Sequence, residues 1–350
     1  MRKHLFYLAA AIVAMSSCTE SEVVEVSQSK AIGFNGFVGN QTRAEQEGLT
    51  QENLDEFYAF GSYKMNDEDK VVVVFDGKTT GSSQIKKNGD TWQYAPVNYW
   101  LEGAVYKFAA YAPKLTEIPT FDYDKNSMSI NFVADGKKDL LIAATTQNGY
   151  TALKDNNAGV NLNFKHALSK VRFTIVDGWR NELKMVISDV SLNGAKNTGT
   201  LTTPTDLATV TALEESVWKL SEEKKGTYND AGTGTDSPLT NNGETYVFEN
   251  FLLPQPIGTE ANAVTLEFTV TVKNNHGGGP VIGEGETPNT KKLTITIPNT
   301  TVASWLPGKA YNYTLTIDGK TFGLETIYFE NITVETWGDE VETEIEVKAN

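Results

Sequence analysis

Few side chains in this 350-residue sequence have chemistry beyond packing: His4, His166, His276, the lone Cys18 and several glycine-rich turns. Three dispersed histidines and one thiol cannot assemble a multi-histidine metal centre, a Cys-rich zinc site, an iron–sulfur cluster or a disulfide framework. Gly77-Lys78-Thr79 and Gly319-Lys320-Thr321 copy the end of a phosphate-binding loop, but Val72 and Thr314 stand where its first glycine belongs. Asp-Gly-Lys is also ordinary hairpin-turn chemistry. Asn66-Asp67-Glu68-Asp69 offers oxygen ligands without the glycine and distal glutamate of a calcium loop, and reads as a solvated hairpin tip. His276 precedes three glycines with no second histidine nearby. His166, between Phe164 and Leu168, reads as a hydrogen-bonded structural residue at a strand end. There is no Gly-x-Ser-x-Gly nucleophile elbow, and nothing selects a glycosidase pair among 45 acidic residues. The expectation is a non-enzyme with no catalytic residue, metal or cofactor.

The 30 basic residues leave a formal charge of −15 and no strong basic patch, which argues against a nucleic-acid partner. Arginine is scarce. Beyond Arg2 there are only Arg43, Arg172 and Arg180. Arg172 falls inside a strand-like run and Arg180 ends the turn-like Asp177-Gly178-Trp179. Arg43 lies in Gly39-Asn-Gln-Thr-Arg-Ala-Glu-Gln-Glu-Gly48, a polar stretch with no apolar periodicity. Proteases need such extended, unpacked backbone. Two readings of Arg43 stay open on these residues: a surface loop arginine, or a processing site separating the first strand from the rest.

The elements that would carry these residues are strands. Arg2, Lys3 and His4 precede an apolar run, Leu5–Met15, too short for a membrane span and suited to a signal-peptide core. It ends in Ser16-Ser17-Cys18 and resembles a lipoprotein signal over residues 1–17, with Cys18 as the lipidated new N-terminus and acyl chains as the anchor. A polar linker, 18–30, leads to Ala31–Val38, where Ile32, Phe34 and Val38 share one face. Short alternating runs rich in β-branched and aromatic residues then recur to the C-terminus. Val264–Val272 and Leu293–Ile297 are the clearest, apolar on one face and Thr or Glu on the other. Leu213–Lys225 is the one plausible short helix and Gly226–Gly243 a loop. The pattern predicts an all-β chain of antiparallel sandwiches, with an N-terminal domain over 31–168, a C-terminal domain over 169–350 and the join near Phe164–Lys170. Trp100, Tyr106, Phe108 and Tyr111 are expected in a sandwich core rather than on a sugar-binding platform.

Several pieces in fixed order resemble the fimbrillin family of Bacteroidales, which supplies subunits of the type V pilus. They are the lipoprotein signal; Ile32-Gly33-Phe34; Thr42-Arg43-Ala44; Leu54–Tyr63; Tyr99-Trp100 with Tyr106-Lys-Phe108-Ala-Ala-Tyr111-Ala-Pro113; Leu162–Phe173; Trp305-Leu-Pro307-Gly308-Lys-Ala-Tyr311; and Ile332–Trp337. The resemblance implies two tandem transthyretin-like β-sandwiches. It also implies export as a surface-exposed outer-membrane lipoprotein acylated at Cys18, and cleavage between Arg43 and Ala44 by an arginine-specific surface protease. Residues 31–43 would leave as a removable leading strand. The partners would be other fimbrial subunits, joined by strand exchange.

The residues allow that mechanism. Removing a strand leaves unpaired backbone and an apolar groove, and the tail segment 341–347 places Val341, Thr343, Ile345 and Val347 on one face and three glutamates on the other. The same tail could equally pair within its own domain. A shaft subunit is expected, since two sandwiches use most of the chain. The alternatives are a tip or anchor subunit, or a non-polymerising surface lipoprotein that binds glycan or host protein through loops such as Gly226–Gly243.

Overall fold

The computed structural model describes residues 30–38, 48–50, 52–154, 159–178, 183–205, 207–222, 225–229, 237–239, 245–257, 263–274, 290–317, 331–336 and 344–346. Up to His166 the strands are β1 (Gly33–Val38), β2 (Glu56–Met65), β3 (Val72–Asp76), β4 (Gln84–Asn88), β5 (Thr91–Gln93), β6 (Ala104–Ala112), β7 (Thr120–Asp122), β8 (Ser127–Val133), β9 (Leu141–Asn148) and β10 (Gly159–His166). Then come β11 (Ser169–Asp177), β12 (Leu183–Lys196), β13 (Thr198–Thr202), β14 (Trp218–Leu220), β15 (Lys225–Asn229), β16 (Ser237–Leu239) and β17 (Thr245–Leu252). The last are β18 (Gln255–Pro256), β19 (Thr265–Asn274), β20 (Thr290–Thr296), β21 (Ser304–Trp305), β22 (Lys309–Ile317), β23 (Asn331–Thr336) and β24 (Glu344–Glu346). Among the described residues the only α-helix is Gly149–Lys154. The all-β expectation is met.

The first sheet runs β1-β10-β9-β6-β2-β4-β5, with β3 also on β2. It curls until its two ends, β1 and β5, lie side by side. Its inner face encloses one buried cluster that includes Ile32, Phe34, Phe57, Phe75, Phe108, Leu162 and Phe164. Clean alternation survives in β10, where Val160, Leu162, Phe164 and His166 are buried between more exposed neighbours. It fails in β2 and β6, because both faces of the sheet are covered there. Phe57 and Phe108 point into the first cluster, whereas Tyr58, Phe60 and Tyr111 join a second one.

The second cluster fills the rest of the molecule. Two sheets, β17-β11-β22-β23-β24 and β15-β12-β19-β20 with β16 on β12, contribute Phe173, Tyr313 and Leu315 on one side and Ile187, Phe268 and Val270 on the other. A four-stranded sheet, β14-β13-β8-β7, links β7 and β8 to β13 and β14 across residue 168, so the two halves share a sheet.

Two local expectations fail. Leu213–Lys225 is not a helix: a 3-10 turn, Glu215–Val217, leads straight into β14. Trp218 decides this, because its indole donates to the Ala167 carbonyl at 2.8 Å and packs edge-on against Phe132. Tertiary contacts of that kind override weak helix propensity. Nor is Gly226–Gly243 a plain loop. β15 and β16 lie within or across it and both pair with β12.

The turn at Gly77 is dictated by packing. Its φ is +72° and an added Cβ would stand 2.0 Å from the Phe60 ring, whereas Gly81, at φ +68°, has nothing within 4 Å of the same position. Alanine in the left-handed region costs about 1–2 kcal/mol at either site, and crowding a packed core adds about 1–3 kcal/mol. Gly77→Ala should therefore lower unfolding stability clearly more than Gly81→Ala in chemical denaturation. Equal losses would show that Phe60 does not constrain the turn.

Candidate functional site: the leading-strand slot

Ala31–Val38 has the alternation of a half-buried strand, and β1 takes the open edge of the first sheet. It pairs with β10 in parallel, from Gly33 opposite Gly159 to Val38 opposite Phe164. Before β1 the chain is held from another side: the Ile32 amide donates to Asn98 O, the Trp100 amide donates to Lys30 O, and Ala31 bridges Tyr99. The Tyr94 hydroxyl donates to Ile32 O at 2.7 Å. Burial pushes its pKa up to about 12, so it stays a donor through the neutral range.

Ile32, Phe34 and Val38 are 1%, 5% and 6% exposed, so the face expected to be buried is buried. Phe34 makes edge-on contacts with Phe57, Phe75, Tyr94 and Phe108 at centroid distances of 5.7, 5.3, 5.8 and 6.1 Å. Such pairs add about 0.5–1.5 kcal/mol each beyond the area they bury. Gly36 completes the inward face, and a Cβ there would touch Phe164 and Trp92 at 3.5 Å. Trp92 belongs to β5, so this is the seam where the curled sheet closes. Asn35 points outward and donates to Asn161 Oδ1 at 3.0 Å. The strand is at once an edge and a plug.

Cys18, Arg43 and Ala44 lie outside the described residues, as do Val341, Thr343 and Val347. Downstream of the expected cut, residues 48–50, 52 and 53 have hydrogen bonds of their own that do not involve β1. The Leu49 amide donates to Asp139 Oδ2 at 3.1 Å, the Thr50 amide to Asn53 Oδ1 at 2.6 Å, and Asn53 Nδ2 to Gly48 O at 2.9 Å. Ile345 lies in β24, which pairs antiparallel with β23 of its own chain and places Ile345 opposite Ile332. Strand β24 is the outermost of its sheet. The tail and the slot therefore belong to different sheets of one chain.

The polar residues near residue 168 form structural links. His166 Nδ1 lies 2.8 Å from Asp139 Oδ2, both buried, and Asp139 Oδ1 accepts from the Leu140 amide. Glu249 faces Lys170 at 3.0 Å and Arg172 at 2.9 Å. Burial pushes the Lys170 ammonium below its usual range, and Glu249 opposes that shift. The nearby Ser169 hydroxyl donates to Leu306 O at 2.8 Å, which turns it toward backbone.

Trp100, Tyr106, Phe108 and Tyr111 are core residues, as expected. Asn66–Asp69 is an exposed turn between β2 and β3, and the Lys78 amide caps Asp76 Oδ1 in the Gly77 turn. Among the described residues no cluster of His, Cys, Asp or Glu suits a metal, and no helix is long and apolar enough to cross a membrane. Trp92, Tyr94 and Asn98 escaped the sequence reading as slot residues. Trp92 and Tyr94 are half-buried and alternate with exposed neighbours, a signal that could have found them.

Among solved structures, a candidate cell adhesion protein from Bacteroides ovatus is 17% identical, with 89% of this chain and 99% of that one covered and a TM-score of 0.47. One from Bacteroides uniformis is 15% identical, covering 88% and 98%, with a TM-score of 0.44. A fimbrial assembly protein from Parabacteroides distasonis is 13% identical, covering 90% and 99%, with a TM-score of 0.39. A search of curated protein sequences finds no match. The model of the fimbrillin-like family matches residues 42–337, from just before the expected cleavage point to just past β23, and on that match the chain belongs to the fimbrillin-like family.

Proposed function

We propose that this fimbrial or adhesin-type subunit is a non-enzymatic shaft component of a cell-surface fimbria, lipidated at Cys18, cut after Arg43 and polymerised by donor-strand exchange. The observation that carries the proposal is the seating of β1. It is an edge strand whose Phe34 and Val38, with Ile32 just before it, are buried in the first core. Fully burying such side chains stabilises by about 1.5–3 kcal/mol each, and ladder hydrogen bonds add about 0.5–1.5 kcal/mol apiece. A cut after Arg43 leaves that hold non-covalent. Loss of the strand then exposes aromatic rings and the outer edge of β10, surfaces that favour a replacement strand.

The rest of the subunit has reason to survive the loss. Phe34 and Val38 of β1 belong to the first cluster and not to the second, which runs on through the other sheets. Gly48–Thr50 keeps its own bonds to Asn53 and Asp139. The body thus stays a scaffold as the slot empties.

Protein recovered from the native cell surface should begin at Ala44, and Arg43→Ala should abolish polymer ladders while leaving acylated Cys18 as the N-terminus. Ladders that persist in Arg43→Ala, or wild-type protein found only with an intact Cys18, would defeat the proposal. Before processing, Phe34→Ala should cost about 3–5 kcal/mol in chemical denaturation. Asn35→Ala, which loses one exposed hydrogen bond, should cost well under about 1 kcal/mol. Similar costs for the two would mean that β1 is not a plug.

A further inference from the structure

We propose that the incoming tail of a second copy lies in the slot in the direction opposite to β1, with Val347 at position 32, Ile345 at 34, Thr343 at 36 and Val341 at 38. This deepens the strand-exchange reading and rests on it. The slot grades its occupants by size. Position 34 is a ring-lined pocket that holds a phenylalanine, and position 36 holds a glycine whose Cβ would already touch Phe164 and Trp92. Ile345 is the largest side chain on the apolar face of the tail and suits position 34.

With Ile345 there, two directions remain. Running with β1, the tail would place Thr343 at 32, Val347 at 36 and Ala349 at 38. Running against it, Val347 and Val341 fill the two end positions. Both directions bury one threonine, but only the reversed one fills the place of Val38 with an equal side chain.

Charge separates the directions further. Positions 37 and 39 lie opposite Asn163 and Lys165 of β10, extending the observed register by one residue. Lys165 is half-buried, desolvation pushes its pKa down, and it has no ion pair among the described residues. The reversed tail brings Glu342 to position 37 and Glu340 to position 39. The same-direction tail brings Lys348 to position 37, a like charge beside Lys165. The backbone agrees, since β1 pairs in parallel with β10 and a reversed strand forms the somewhat stronger antiparallel ladder.

Subunits starting at Ala44 contain no native cysteine, so introduced thiols report direction cleanly. In the full chain expressed on its native surface, Glu342→Cys with the exposed Asn163→Cys should give an intersubunit disulfide ladder that is lost on reduction. Facing Cβ atoms in an antiparallel pair are about 4.5–5.5 Å apart. Lys348→Cys or Glu346→Cys with Asn163→Cys should give none. A ladder from either of those pairs, or polymer in which no pair cross-links, overturns the reversed direction. Failure of the unmodified protein to polymerise overturns strand exchange itself. Lys165→Glu should slow assembly, and adding Glu340→Lys with Glu342→Lys should restore it. A loss without rescue also counts against the proposal.

Discussion

The Phe34 ring sits among four aromatic rings at the seam of a sheet that has almost closed on itself. That contact closes the first core on its β1 side. An open sheet leaves two edges of unpaired backbone, and proteins protect such edges because they recruit other strands. Here β1 and β5 cover each other across Gly36 and Trp92. The element that closes the sheet is also the first of the described strands.

Other contacts hold the body of the molecule. The first sheet presents a second buried face, through Tyr58, Phe60 and Tyr111, to the cluster that continues into the C-terminal half. The four-stranded sheet then ties the halves together by backbone hydrogen bonds between β8 and β13. The slot thus stands on a scaffold that is stapled elsewhere. Close packing makes this useful, because a core held on its other sides keeps the shape of a pocket rather than collapsing into it.

Buried charged groups add further links. Asp139 receives the Leu49 amide, the Leu140 amide and His166, so it joins the segment before β2 to the start of β9 and the end of β10. Glu249 joins neighbouring strands through Lys170 and Arg172. A buried ion pair adds little net stability, yet breaking one by removing a single partner is costly. Such pairs fix one arrangement of the chain around residue 168.

Strand alternation named the buried faces from sequence alone. Ile32, Phe34 and Val38 belonged together because side chains in a strand point to opposite sides in turn, a local property of the backbone. The turn at Gly77 was legible from the local turn chemistry of Asp-Gly-Lys, and the core placement of Tyr106 from its strand-like run. Partners were not. Every residue except proline offers the same amide and carbonyl, so nothing in Gly33–Val38 says that it pairs with Gly159–Phe164, or that it does so in parallel. The false helix at Leu213–Lys225 and the strands within Gly226–Gly243 have this cause too: Trp218 and β12 decided them through contacts distant in sequence. The chain by itself determined which faces are apolar. Only the tertiary structure decided which edge closes the sheet, because closure depends on the summed twist and curl of strands that never meet in the sequence.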